Sequence, residues 1–165
     1  MLFMKTLNIL FLCTGNSARS ILAEALVTTL SHGKFIGFSA GSHPNGQVNP
    51  IAEELALAMG YPKDKLRSKS WDEYSLPDSP QMDIVITVCD NAKGEVCPVW
   101  LGHPIQAHWG FPDPASVEGT YDQKKKAFIE VMQGLQKLIE DLIQLPIDQL
   151  DLTTLKKAIQ DIHHA

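Results

Sequence analysis

Residues 6–20 read Thr6-Leu-Asn-Ile-Leu-Phe-Leu-Cys13-Thr-Gly-Asn-Ser-Ala-Arg19-Ser20. The part up to Cys13 is almost unbroken apolar sequence, as expected of a strand covered on both faces in a parallel sheet, where no alternation between core and solvent is needed. Gly15-Asn16-Ser17 then marks a tight turn. From Ala18 to Leu30 the residues Ile21, Leu22, Ala25, Leu26 and Leu30 recur at helical spacing. The unit is strand, tight loop, helix, which opens an α/β fold.

The rest of the chain continues this alternation. Phe35 to Ser39 predicts a second strand, and Asn49 followed by Pro50 supplies an N-cap and first helical position for a second helix that Gly60 ends. Asp83 to Cys89 predicts a third strand, and Ile105 to His108 a fourth before the turn Gly110-Phe-Pro-Asp-Pro114. Tyr121 to Leu145 reads as a long amphipathic helix. After Pro146, the stretch Asp151 to His163 places Leu152, Leu155, Ala158, Ile159 and Ile162 on one face, with Asp151 as cap. The expected architecture is a three-layer α/β domain over residues 1–145 with a four-stranded parallel sheet, extended by a C-terminal helix within 146–165. Right-handed crossovers make such a sheet doubly wound, with ligands beyond the carboxyl ends of its strands. Cys13, Cys89 and the Asp113 turn all fall at such ends.

Bulk properties narrow the function classes. A length of 165 residues suits one core, and 44% hydrophobic with 20% charged residues is ordinary for a soluble globular chain. The start, MLFMKTLNILFLC, lacks a basic segment before its apolar stretch and a small-residue cleavage site, so it reads as a buried strand and not a secretion signal. A cytoplasmic location is expected. A net charge of -5 argues against nucleic-acid and acidic-membrane binding, which require a basic surface. Three cysteines are an odd number for a disulfide framework and point to free or catalytic thiols.

Chemistry concentrates in the first loop. Arg19 follows Cys13 by six positions, giving a C-x5-R-S segment between a strand and a helix start. Consecutive backbone N–H groups there, aided by the helix dipole, can form a nest for a tetrahedral oxyanion. Arg19 can grip two oxygens of that anion through its planar fork. The bend calls for left-handed backbone, which Gly15 adopts freely and Asn16 tolerates. A cysteine at a helix N-terminus beside an arginine is in a field that favours the thiolate, and Ser20 can donate a hydrogen bond to it. Alone, a cysteine at this place is more often a small buried residue at a strand end. Its conjunction with the Gly-Asn turn and the Arg-Ser pair points to a nucleophile.

Cys13-Thr-Gly-Asn-Ser-Ala-Arg-Ser20 resembles the signature loop of low-molecular-weight tyrosine phosphatases and their arsenate-reductase relatives, with similarity over residues 6–145. The resemblance implies that Cys13 attacks the oxyanion and that Arg19 binds it together with the loop residues Thr14, Gly15, Asn16, Ser17 and Ala18. It also implies that Asn16 and Ser20 support the loop and the thiolate, and that Asp113 of Asp113-Pro114 is the general acid. The phosphatases carry a second cysteine where this chain has Ala18, and tyrosines where it has Ala115-Ser116, so these departures favour the reductase. Reduction of arsenate to arsenite takes two electrons, so a second thiol must resolve the Cys13 adduct. Cys89 and Cys97, in Val88-Cys89-Asp-Asn-Ala-Lys-Gly-Glu-Val-Cys97-Pro, resemble the cysteine pair of thioredoxin-coupled reductases, with Cys89 as resolving and Cys97 as final thiol. Their spacing is one residue longer than in that pattern, which leaves thioredoxin and glutathione with glutaredoxin both open as the external reductant. No bound cofactor or metal is implied; a C-x7-C pair lacks the short spacing of structural zinc sites. The expected substrate is arsenate, with phosphate as its analogue, and the expected role is arsenic detoxification. Hydrolysis of phosphotyrosine and a non-catalytic oxyanion-binding or redox-sensing module are the alternatives.

Other conspicuous residues fit structural roles. His43, His103 and His108 receive no assignment, Trp71, Trp100 and Trp109 read as packing groups, and Lys124-Lys-Lys126 reads as a solvated helix face.

Overall fold

The apolar strand register sets the architecture. A computed structural model describes residues 6–88 and 104–162. Strands β1 (Leu7–Cys13), β2 (Phe35–Gly41), β3 (Ile84–Thr87) and β4 (Ile105–His108) form one parallel sheet in the order β2-β1-β3-β4. The chain begins in the middle of the sheet, winds to one edge, and then crosses to the other. Cys13 therefore ends a central strand where the strand order reverses, the place at which open α/β sheets commonly bind ligands.

Helices α1 (Arg19–Leu30), α2 (Pro50–Ala58), α3 (Tyr121–Ile143) and α4 (Leu152–Ile162) lie where the periodicity predicts. The Asn49 side chain accepts from the Ile51 N–H at the start of α2, and a reciprocal Thr120–Gln123 capping box starts α3. Several ends differ from expectation by one or two residues. Strand β2 runs on to Gly41, and β3 stops at Thr87, although the Val88 N–H still donates to the Leu12 carbonyl at 2.8 Å. The predicted last residue of that strand, Cys89, lies outside the described residues.

Alternate residues of β1 enter two different cores. Ile9, Phe11 and Cys13 join Ile84 and Ile86 against buried side chains of all four helices, whereas Leu10 and Leu12 join Ala40, Val85, Met82 and Trp71. Both sets are buried, which is why β1 reads as a continuous apolar run. Among the described residues the second face is covered by the segment around the 3-10 turn Trp71–Tyr74, not by an α-helix. No described helix is long and apolar enough to cross a membrane.

Helix α4 shares the main core. Leu155, Ile159 and Ile162 are buried there, the Trp109 indole donates to the Ile159 carbonyl at 3.3 Å, and Gln160 donates to the Gln106 carbonyl on β4 at 3.0 Å. Ile159→Ala should therefore lower unfolding free energy by about 2–5 kcal/mol in urea titration, the range for a fully buried aliphatic truncation. A change below about 0.5 kcal/mol, as at a surface site, would mean that α4 is not docked.

Candidate active site

The turn after β1 is held from outside by its carbonyls. The His43 N–H donates to Thr14 O at 2.9 Å, Asn45 N–H to Gly15 O at 3.0 Å, and Asn49 N–H to Ser17 O at 2.9 Å. Ser68 Oγ adds a second bond to Gly15 O at 3.1 Å. In a planar trans peptide the following N–H points opposite to the carbonyl. The N–H groups of Gly15, Asn16 and Ala18 thus face away from these anchors, as an oxyanion nest requires. Ala18 stands at the N-cap of α1 and has no polar side chain with which to occupy the first-turn N–H groups.

The left-handed residue of the turn is Asn16, with φ 45°, and Gly15 does not adopt a positive φ. This corrects the expectation that both do so. A Cβ at Gly15 would lie 3.1 Å from the amide of the exposed Asn45 side chain, a tight contact that this side chain would have to relieve by a few tenths of an ångström. Asn16 is held in its unusual conformation by both ends of its side chain: Oδ1 accepts from the Lys69 N–H at 2.8 Å and Nδ2 donates to Ser20 Oγ at 2.9 Å. Because Asn16 occupies a lone pair of Ser20, the Ser20 hydroxyl proton is free to point at Cys13 Sγ, 2.9 Å away. Cys13, Asn16 and Ser20 are all buried.

Gly41, at the end of β2, backs this turn and was not singled out by sequence reasoning. A Cβ on it would fall 2.5 Å from Thr14 O, 2.9 Å from Cys13 O and 3.0 Å from Asn16 N, all backbone atoms. Gly41→Ala should consequently displace the loop and weaken phosphate binding by about tenfold in calorimetry, equivalent to roughly 1.4 kcal/mol of lost anion contacts. Unchanged phosphate affinity would show that the loop tolerates the shift.

Arg19 begins α1 and reaches across to the turn after β4. Its Nη1 donates to Phe111 O at 2.9 Å, and its Nη2 lies 4.0 Å from Asp113 Oδ2. The other Asp113 oxygen accepts from the Ala115 N–H at 2.9 Å, which fixes the carboxyl at the start of a 3-10 turn over Pro114–Ser116. The Arg19 side chain is 14% exposed and that of Asp113 47%, so the pair spans the edge between core and solvent. The structure thus brings Cys13, Asn16, Arg19, Ser20 and Asp113 to one end of the sheet.

Cys89, Cys97, Trp100 and His103 lie outside the described residues. Val88, which precedes Cys89, is buried and bonded to Leu12 of the strand that carries Cys13. Trp71 and Trp109 are buried packing groups as expected, and His108 Nδ1 lies 2.6 Å from Thr87 Oγ1 within the sheet. In the lysine run, Lys125 pairs with Glu54 at 2.9 Å. Sequence reasoning missed Glu24, Ser39, Tyr61, Ser68 and Lys69 behind the loop. Glu24 was visible as the lone acid of the helix RSILAEALVTTL, whereas the others carry no local signal.

A turn with inward N–H groups beside a buried cysteine, an arginine and an aspartate, at the carboxyl edge of a parallel sheet, is an arrangement suited to cysteine chemistry on an oxyanion. The family model for low molecular weight phosphotyrosine protein phosphatase matches residues 8–160, and the chain belongs to that family. It is 36% identical over 132 residues to an arsenate reductase of Halalkalibacterium halodurans, covering 80% of this chain and 91% of the relative. It is 32% identical over 136 residues to an arsenate reductase of Bacillus subtilis, covering 82% and 94%. A solved arsenate reductase in the phosphate-binding state superposes with a TM-score of 0.62 at 26% identity, covering 83% of this chain and 96% of that one.

Proposed function

We propose that the protein reduces arsenate to arsenite through a cysteine thiol relay. The observation that carries this reading is the buried Cys13 inside a nest whose Ser20 hydroxyl faces its sulfur and whose Arg19 meets Asp113, in a chain similar over most of its length to arsenate reductases. The Cys13 thiolate displaces hydroxide from arsenate, and Asp113 protonates the departing oxygen to water. The Cys89 thiolate then attacks Cys13 Sγ. The sulfur–arsenic bond breaks, its electron pair stays on arsenic as arsenite, and a Cys13–Cys89 disulfide remains. Attack by Cys97 on Cys89 restores the Cys13 thiolate and passes the oxidation to a Cys89–Cys97 disulfide, which an external thiol reductant reopens. Thioredoxin and glutathione with glutaredoxin are the two reductants that suit this ending.

Hydrolysis of an aryl phosphate is the second reading, favoured by the Arg19–Asp113 geometry, which serves a leaving phenolate equally well. One experiment separates these readings. Arsenate-dependent oxidation of NADPH is followed with thioredoxin and its reductase, and with glutathione, glutaredoxin and glutathione reductase, beside release of nitrophenol from its phosphate. Turnover with one of the reducing systems is expected. Efficient phosphate hydrolysis with no arsenate turnover under either system would replace the proposal by the phosphatase.

A further inference from the structure

Six polar side chains are buried among the described residues, and five of them, Asn16, Ser20, Glu24, Ser39 and Lys69, form one connected chain ending at Cys13. At its far end the Glu24 carboxylate accepts from Ser39 Oγ at 2.6 Å and from the Tyr61 hydroxyl. Lys69 Nζ lies 3.8 Å from Glu24 Oε1 and donates to Arg67 O at 2.9 Å and to Ser39 Oγ at 3.4 Å. At its near end the Lys69 N–H holds Asn16. The Lys69 carbonyl also accepts from Gly41 N at 2.9 Å, tying the same residue to the end of β2.

Burying a carboxylate and an ammonium is expensive, and a pair of apolar side chains commonly does as well for stability. Stability therefore does not account for a charged pair at this point, whereas its place does. We propose that Glu24 and Lys69 are positioning residues for the nucleophile, a buried strut that fixes the Lys69 backbone so that Asn16 is held left-handed and the Ser20 hydroxyl is directed at Cys13 Sγ. The inference rests on Cys13 being the nucleophile, and it does not depend on which oxyanion is the substrate.

The charges around the strut come from several segments. Arg67 and Lys69 act on Glu24, while Glu24, Arg67, Glu73 and Cys13 act on Lys69. Burial raises the Glu24 carboxyl, with the Lys69 charge as the largest opposing influence, and burial likewise lowers Lys69, with Glu24 opposing. Each member of the pair opposes the loss of the other's charge, and burial outweighs that opposition in both.

The test is alkylation of Cys13 by iodoacetamide in the full chain across pH, read by mass analysis of the peptide that contains it. Lys69→Met should slow the reaction at neutral pH by about tenfold and move its midpoint upward, because the Ser20 hydroxyl no longer meets the sulfur reliably. Glu24→Gln with Lys69→Met removes both buried charges, should keep the fold by circular dichroism, and should remain slow. If Lys69→Met alone does not fold, the double variant decides. Either folded variant with the wild-type rate and midpoint would overturn the strut. A wild-type Cys13 that reacts no faster than an ordinary thiol would instead overturn the nucleophile assignment.

Discussion

Cys13→Ser should reduce arsenate turnover by roughly 10⁴-fold or more, the scale seen when a covalent nucleophile is removed from a working site. A serine hydroxyl does not ionise under conditions where a thiolate forms, and it has no redox chemistry to pass on. Under the proposed reading phosphate should still bind, because backbone N–H groups and Arg19 would hold it. The Ser20 hydroxyl, 2.9 Å from the sulfur in the parent, retains an oxygen as its partner. Coupled NADPH oxidation measures the first property and calorimetry with phosphate the second. Substantial turnover would remove Cys13 from the reaction, and loss of phosphate binding would mean that the substitution had collapsed the loop.

Cys89→Ser should lose multiple-turnover arsenate reduction by roughly 100-fold or more, since the Cys13 adduct then lacks its resolving thiol. Hydrolysis of small aryl phosphates should persist at the parental rate, because water resolves that intermediate. This divergence distinguishes a thiol relay from general damage, which would lower both activities together. Under the relay, Cys97→Ser should accumulate a Cys13–Cys89 disulfide detectable by mass analysis. Unchanged steady-state reduction in Cys89→Ser would assign the resolving step to an external thiol.

Much of this protein was legible along the chain because its signals are local. The apolar run ending at Cys13 announced a strand buried on both faces, and Leu10 and Phe11 do enter opposite cores. Asn49-Pro50 announced the start of α2, and Asp151 the start of α4, where its carboxylate accepts from the Thr154 N–H at 2.7 Å. The C-x5-R-S spacing announced a strand, a tight turn and a helix starting at Arg19, since cysteine, turn and arginine are near neighbours in the chain. Asp113 was reached only through family resemblance, for an Asp-Pro turn carries little meaning by itself.

What the linear pattern left open depends on atoms brought together from distant segments. Which turn residue becomes left-handed follows from the bonds of Asn16 to Lys69 and Ser20, not from the general freedom of glycine. Gly41 matters because parallel pairing sets it beside Cys13 and under the Thr14 carbonyl, a contact invisible 28 residues down the chain. Glu24 and Lys69 could each be seen as charged residues, but only folding places their charges 3.8 Å apart in the interior. Short-range preferences are written in neighbouring side chains, whereas the shape of an anion site is set by long-range packing that no local stretch encodes.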